Sequence, residues 1–251
     1  MIASLPMYDR AETAGANDRL WAAIRDRLRA RGIEAPAALI HGAPDLWPHW
    51  TAPDLVLSQT CGYPFRSRLH GQVTLVGTPD YGVEGCDPGF YRSVFVVRTD
   101  DPRSTLAGFE GARLAWNDDL SQSGWAGPQT YLANLGIHLT PALRTGGHKL
   151  SAIAVSEGRA DIAALDAVTW RLIQRFDGFA PSLRVIAATD PSPGLPFISR
   201  KGMDADALLD AIADAIAGMQ DEDRQVTGLR GIVRIPADRY LAVPTPPPPA
   251  L

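Results

Sequence analysis

Short apolar runs alternate with amphipathic helical patterns along most of this chain, and that alternation restricts it to layered α/β architectures. Asn17 to Arg31 places Leu20, Ile24 and Leu28 on one helical face with Trp21 beside them, and Gly32 follows as a stop. Ala38-Leu-Ile40, Leu55-Val-Leu57, Val73-Thr-Leu-Val76, Ser93-Val-Phe-Val-Val97, Arg113-Leu-Ala-Trp116, Asp161-Ile-Ala-Ala-Leu165 and Leu183-Arg-Val-Ile-Ala187 read as strands. A first strand is expected to close at Tyr8. A short helix or turn is expected over 60–69, and helices over 121–135, 150–157 closed by Gly158, through Trp170, Ile173 and Phe176, and 205–219. Pro244-Thr-Pro-Pro-Pro-Pro249 opens a proline-rich tail, 244–251, expected to be polyproline-like and frayed.

Composition narrows the function. The 251 residues are 45% hydrophobic, enough for a sizeable core in one large domain or two small lobes. A net charge of −4 gives no overall basic field, so nucleic acid is not an expected partner. No apolar run approaches a membrane span. Residues 1–8 lack a basic region, a long apolar stretch and a cleavage site, so the chain as given is expected to carry no export signal. Cys61 and Cys86 are too few for a disulfide scaffold; two small half-buried thiols and one disulfide both remain open. G-x-S-x-G, H-E-x-x-H and P-loop motifs are missing, and the five histidines have no ligand spacing, so neither a metal nor a cofactor is expected.

Four polar strings sit where strands hand over to helices. Asn117-Asp-Asp-Leu-Ser121-Gln-Ser123-Gly124 follows a strand and opens a helix. Ser121 suits a cap, and a helix N-terminus with two hydroxyls suits an anion. Thr145-Gly-Gly-His148-Lys-Leu-Ser151 precedes another helix and offers an imidazole and a hydroxyl. Asp166 ends a strand, where ligands of open α/β sheets gather, and suits a helix cap equally well. Ser58-Gln-Thr60-Cys-Gly-Tyr63 crowds the end of a buried strand, while Tyr91 and Ser93 begin a β run. Thr189-Asp190-Pro-Ser-Pro-Gly-Leu-Pro196 is too rich in proline for a helix and suits a rigid crossing.

S-Q-T-C-G-Y-P (58–64), Y-R-S-V-F-V-V-R (91–98), S-Q-S-G (121–124), T-G-G-H-x-x-S (145–151), G-R-A-D-I-A-A-L-D (158–166) and P-G-L-P-F (193–197) occur in this order. Together they resemble the phosphate/phosphite/phosphonate-type substrate-binding proteins of ABC transporters, from about Met7 to Phe197 of this sequence. The resemblance implies a two-lobed type II periplasmic-binding-protein fold, with two mixed, mostly parallel sheets flanked by helices and a two-strand hinge. Lobe one would be 1–92 plus 190–251, and lobe two 93–189. It implies a small anion held by hinge closure, with ligand-binding positions at Ser121, Ser123, Gly124 and His148, at Tyr91 with either Tyr63 or Tyr8, and at Asp190; the residues themselves add Ser58, Thr60, Ser93, Ser151 and Asp166 as candidates. Aminoalkylphosphonate binders carry a glutamate after the strand matching Ile162–Leu165. Here that stretch reads Asp166-Ala-Val-Thr169, which puts recognition of an amine in question. The implied partner is an ABC permease, the implied state a monomer, and the implied compartment the periplasm; the leaderless start points instead to the cytoplasm. Two other readings share the fold: a lyase or cofactor-synthesis enzyme using His148 or Asp166 as acid or base, and a sensor module.

Overall fold

A computed structural model describes residues 1–43 and 45–249; of the expected tail, 250 and 251 lie outside the described residues. Strands, in chain order, are β1 Ile2–Ala3, β2 Leu55–Gln59, β3 Val73–Asp80, β4 Phe90–Tyr91, β5 Ser93–Arg98 and β6 Arg113–Trp116. They continue with β7 Thr140–Arg144, β8 Ile162–Asp166, β9 Leu183–Ala188, β10 Ser192–Pro193, β11 Phe197–Arg200 and β12 Gly231–Val233. Two compact units result: Met1–Phe90 with Pro193–Ala242, and Tyr91–Ser192 with the tail from Val243. The expected joins stood at 92/93 and 189/190. The tail was expected in the first lobe, but residues 243–249 group with the second unit, where Trp125 Nε1 donates to the Pro247 carbonyl at 3.0 Å.

The first unit is built on a sheet of order β1-β2-β11-β3-β12. Helix Ala11–Ala30 lays Leu20, Trp21, Ile24 and Leu28 on it, and Gly32 at φ 76° ends the helix in the left-handed region. Helix Ala205–Ala217 joins them, started by Asp204, whose carboxylate accepts the Asp206 and Ala207 N–H groups at 3.0 and 3.1 Å. Strand alternation divides the core: Val56 and Phe197 face these helices, while Leu55 and Ile198 face Trp50, Phe65, Leu69 and Tyr240. Each large side chain so buried contributes about 1.5–3 kcal/mol of transfer free energy.

The second unit has the order β7-β6-β8-β5-β9. Its alternation is strict. Phe95, Val97, Leu114, Trp116, Ile162 and Ala164 point to one face, and Val96, Ala115, Ala163 and Leu165 to the other. Both faces are therefore covered, the second by helices His148–Ser156 and Ala167–Phe176.

The sheets are mixed, but the expected parallel majority is not met: β12 pairs antiparallel with β3, and the other antiparallel pairings centre on two strands. β11 runs antiparallel to both β2 and β3, and β5 to both β8 and β9. These are the first full strands after the chain passes between units, so each enters its sheet against the local direction. Three other expectations are corrected. Ala38–Ile40 forms no strand; Ile40 N–H gives Ala3 a single 2.8 Å bond before Gly42 turns the chain at φ 63°. Tyr8 does not close the first strand, because Pro6, which cannot donate to a ladder, starts a turn of 3₁₀ helix through Tyr8. The helix expected from 150 begins at His148, which places that side chain on the helix itself.

Candidate functional site

In the second unit β6 runs parallel to both β7 and β8, so their C-terminal ends share one edge of the sheet. A helix starts after each: at Gln122, His148 and Ala167. β5 runs the other way and brings Ser93 to the same edge, opposite Asp166 in register. Topology alone therefore assembles Ser93, Ser121, Ser123, Gly124, His148 and Asp166, where open α/β sheets bind ligands.

The first helix opens with a π turn, Gln122–Ala126. Ser121 caps it: its Oγ accepts the Gly124 N–H at 2.9 Å, and its carbonyl accepts from Trp125 and Ala126. Gln122 and Ser123 lie outside that set, at the positive end of the helix dipole. Gly124 is required by its neighbour, since a Cβ there would stand 1.8 Å from Asn117 Oδ1. Asn117 was not among the expected site residues, although it opens the quoted string.

His148 Nε2 lies 2.8 Å from Ser123 Oγ. The residue follows Gly147, which is extended, and Gly146, whose φ of 85° turns the chain toward the helix. Burial pushes the imidazole down to about 4, with the Ala164 backbone pulling weakly upward. At neutral pH it is uncharged and offers hydrogen bonding without a full charge. Lys149 pairs with Asp177 at 2.6 Å, and Arg144 with Asp118 at 2.6 Å, so neither cation is given to the site.

Asp166 is the cap of its helix, with Oδ1 accepting Val168 N–H at 2.7 Å and Thr169 N–H at 3.0 Å. Ser93 N–H donates to Thr189 Oγ1 at 3.0 Å, a link across β5 and β9 that the sequence did not indicate. Tyr91 is buried at the start of this unit. Ser151 is not presented to a ligand: it is fully buried, and its hydroxyl pairs with Thr145 Oγ1 at 2.7 Å. Asp190 is exposed, and its carbonyl accepts from Thr189 Oγ1 at 3.1 Å.

Four expected residues belong to the first unit. Ser58 is fully buried and pairs with Ser4 Oγ at 2.9 Å, so its hydroxyl serves the core. Thr60 follows β2, with its N–H on the Pro196 carbonyl at 3.0 Å. Tyr63 is buried with the Arg66 guanidinium 4.4 Å from its ring centre. Tyr8 packs edge-on against Tyr81 at 4.8 Å. Cys61 and Cys86 are both thiols, so the disulfide alternative is not realised. Among the described residues, no group of three or more His, Cys, Asp or Glu is placed to hold a metal ion, and no helix is long and apolar enough to cross a membrane.

Known proteins resemble this arrangement. PhnD1 from Prochlorococcus marinus (MIT 9301), solved with methylphosphonate, superposes with a TM-score of 0.72 at 15% identity, over 95% of this chain and 94% of that one. PA3383 from Pseudomonas aeruginosa, a binding protein component of an ABC phosphonate transporter, gives 0.69 at 16% identity, over 94% and 82%. XAC2383 from Xanthomonas citri, solved with ATP, gives 0.66 at 19% identity, over 96% and 94%. These likenesses establish the two-lobed periplasmic-binding-protein fold. A comparison with curated protein sequences finds no match. The family profile described as ABC transporter, phosphonate, periplasmic substrate-binding protein matches residues 54–237, most of the sequence, and the chain belongs to that family.

Proposed function

We propose that the chain captures a small phosphorus oxyanion, with Ser121, Ser123, Gly124 and His148 as its anchors in the second unit. The observation that carries this is the Ser123–His148 contact at 2.8 Å, at the heads of two helices that share one sheet edge, in a member of the phosphonate-binding family. Helix N–H groups and hydroxyls replace the water around such an anion at little reorganisation cost. Thr60, Tyr63 and Tyr8 from the first unit, and Tyr91 beside the crossing, belong to the same proposal, as does ligand-selected closure of the two units. Periplasmic work and delivery to an ABC permease by a monomer extend it.

A serine 2.8 Å from an imidazole is also the geometry of a nucleophile and its base. A histidine held near 4 is a weak base at neutral pH, which favours binding over catalysis.

Calorimetry with methylphosphonate, phosphite, phosphate and sulfate tests the proposal. Ser123→Ala and His148→Ala are each expected to weaken binding by about 1–3 kcal/mol, roughly 5- to 150-fold. The ligand is expected to be recovered intact. Unchanged affinity in both variants would remove this site, and turnover of the ligand would replace binding with catalysis.

A further inference from the structure

The proline-rich tail is engaged with the second unit. Residues 244–249 form neither helix nor strand, yet Val243, Pro246 and Pro249 are half-buried while 244, 245, 247 and 248 are exposed. A period of three is that of a polyproline II helix, so one edge of the tail rests on protein. Five prolines in 244–249 already fix most of the backbone torsions, and ordering this segment costs little. Prolines offer carbonyls and no N–H, so such a segment needs donors from its partner. Trp125 supplies one: its indole Nε1 donates to the Pro247 carbonyl at 3.0 Å. Aromatic surfaces hold polyproline segments in this mode.

Trp125 is only 4% exposed and packs 5.8 Å from Trp116. It belongs to the π turn Gln122–Ala126, two residues after Ser123. The same indole therefore joins the core, the candidate anion turn and the tail. We propose that residues 243–249 are a built-in polyproline strap that positions the Gln122–Ala126 turn through Trp125. The link to affinity rests on the reading of Ser123 as a ligand anchor. The bond fixes the indole, the indole fixes the turn, and the turn sets the Ser123 hydroxyl and N–H. Docking of the strap and binding of the anion then favour each other, and the coupling is reciprocal.

Four chains test this: the intact protein, residues 1–242, full-length Trp125→Phe, which keeps a ring in the core and deletes the N–H, and full-length Pro248→Ala as the control. The readouts are hydrogen exchange of the 122–126 amides and calorimetric affinity for methylphosphonate. Loss of the strap or of the N–H is expected to speed exchange in this turn about fivefold and to weaken affinity by about the same factor. Pro248→Ala, on the exposed edge, is expected to match the intact chain. Exchange in 122–126 that is unchanged in Trp125→Phe would overturn the proposal, even if the shortened chain unfolds. If the intact chain binds none of the oxyanions, the proposed function fails, and the exchange comparison alone decides the strap.

Discussion

Protonating His148 would place a charge where the fold desolvates it. Its folded value is pushed down to about 4, against 6.5 when unfolded. Between those values the unfolded chain holds more protons, so stability rises with pH across that window and is lost as pH falls. The native chain is expected to lose about 2–3 kcal/mol between pH 7 and pH 4.5 through this group. His148→Gln removes the titration. Urea midpoints at the two pH values check it: the native chain should show a steeper acid loss than the variant. Equal losses would mean that the imidazole is solvated in the folded state.

At the scale of single elements, the π turn depends on Gly124. Adding a Cβ there forces Asn117 Oδ1 to move, because their separation would be 1.8 Å. Gly124→Ala is expected to cost about 1–3 kcal/mol. Asn117→Ala should recover part of that loss in the double variant, since the two residues share one space. Melting temperatures of the four chains test the coupling, and strict additivity would show that the contact is not the cause. The helix start itself was legible from Ser121 and the strand before it. β5 and β6 were legible because their apolar runs face two cores. β7 was not, because Thr140–Arg144 alternates between exposed and half-buried positions and contains Pro141. β11 lies behind a proline string, and its central place is set by strands more than a hundred residues earlier in the chain. Pairings also separate the expected hydroxyls. Ser58 is committed to Ser4, 54 residues away, and Ser151 to Thr145; no local pattern distinguishes such hydroxyls from those of Ser121 and Ser123. The tail misled for the opposite reason. Proline content signals the lack of internal hydrogen bonds, and it is silent about an external donor such as Trp125.

For the whole molecule, chain connectivity treats the two units differently. The first needs two long separated segments to build its sheet, whereas the second adds only the tail from Val243 to the continuous stretch 91–192, which holds its whole five-stranded sheet. The ends of that stretch fall in β4 and β10, which pair as a two-stranded sheet, so a short closure joins the chain on either side of the insertion. A stretch of about 100 residues with apolar clusters on both faces of its own sheet is large enough to fold alone. Residues 91–192 expressed by themselves are therefore expected to unfold cooperatively and to give dispersed amide resonances. They lack Pro247, so the Gln122–Ala126 turn should exchange faster than in the intact chain while β5, β6 and β8 remain protected. Native-like protection of that turn in the fragment would count against the strap. A collapsed fragment without fixed packing would show instead that its two cores are completed by the first unit, and that the halves fold as one cooperative body.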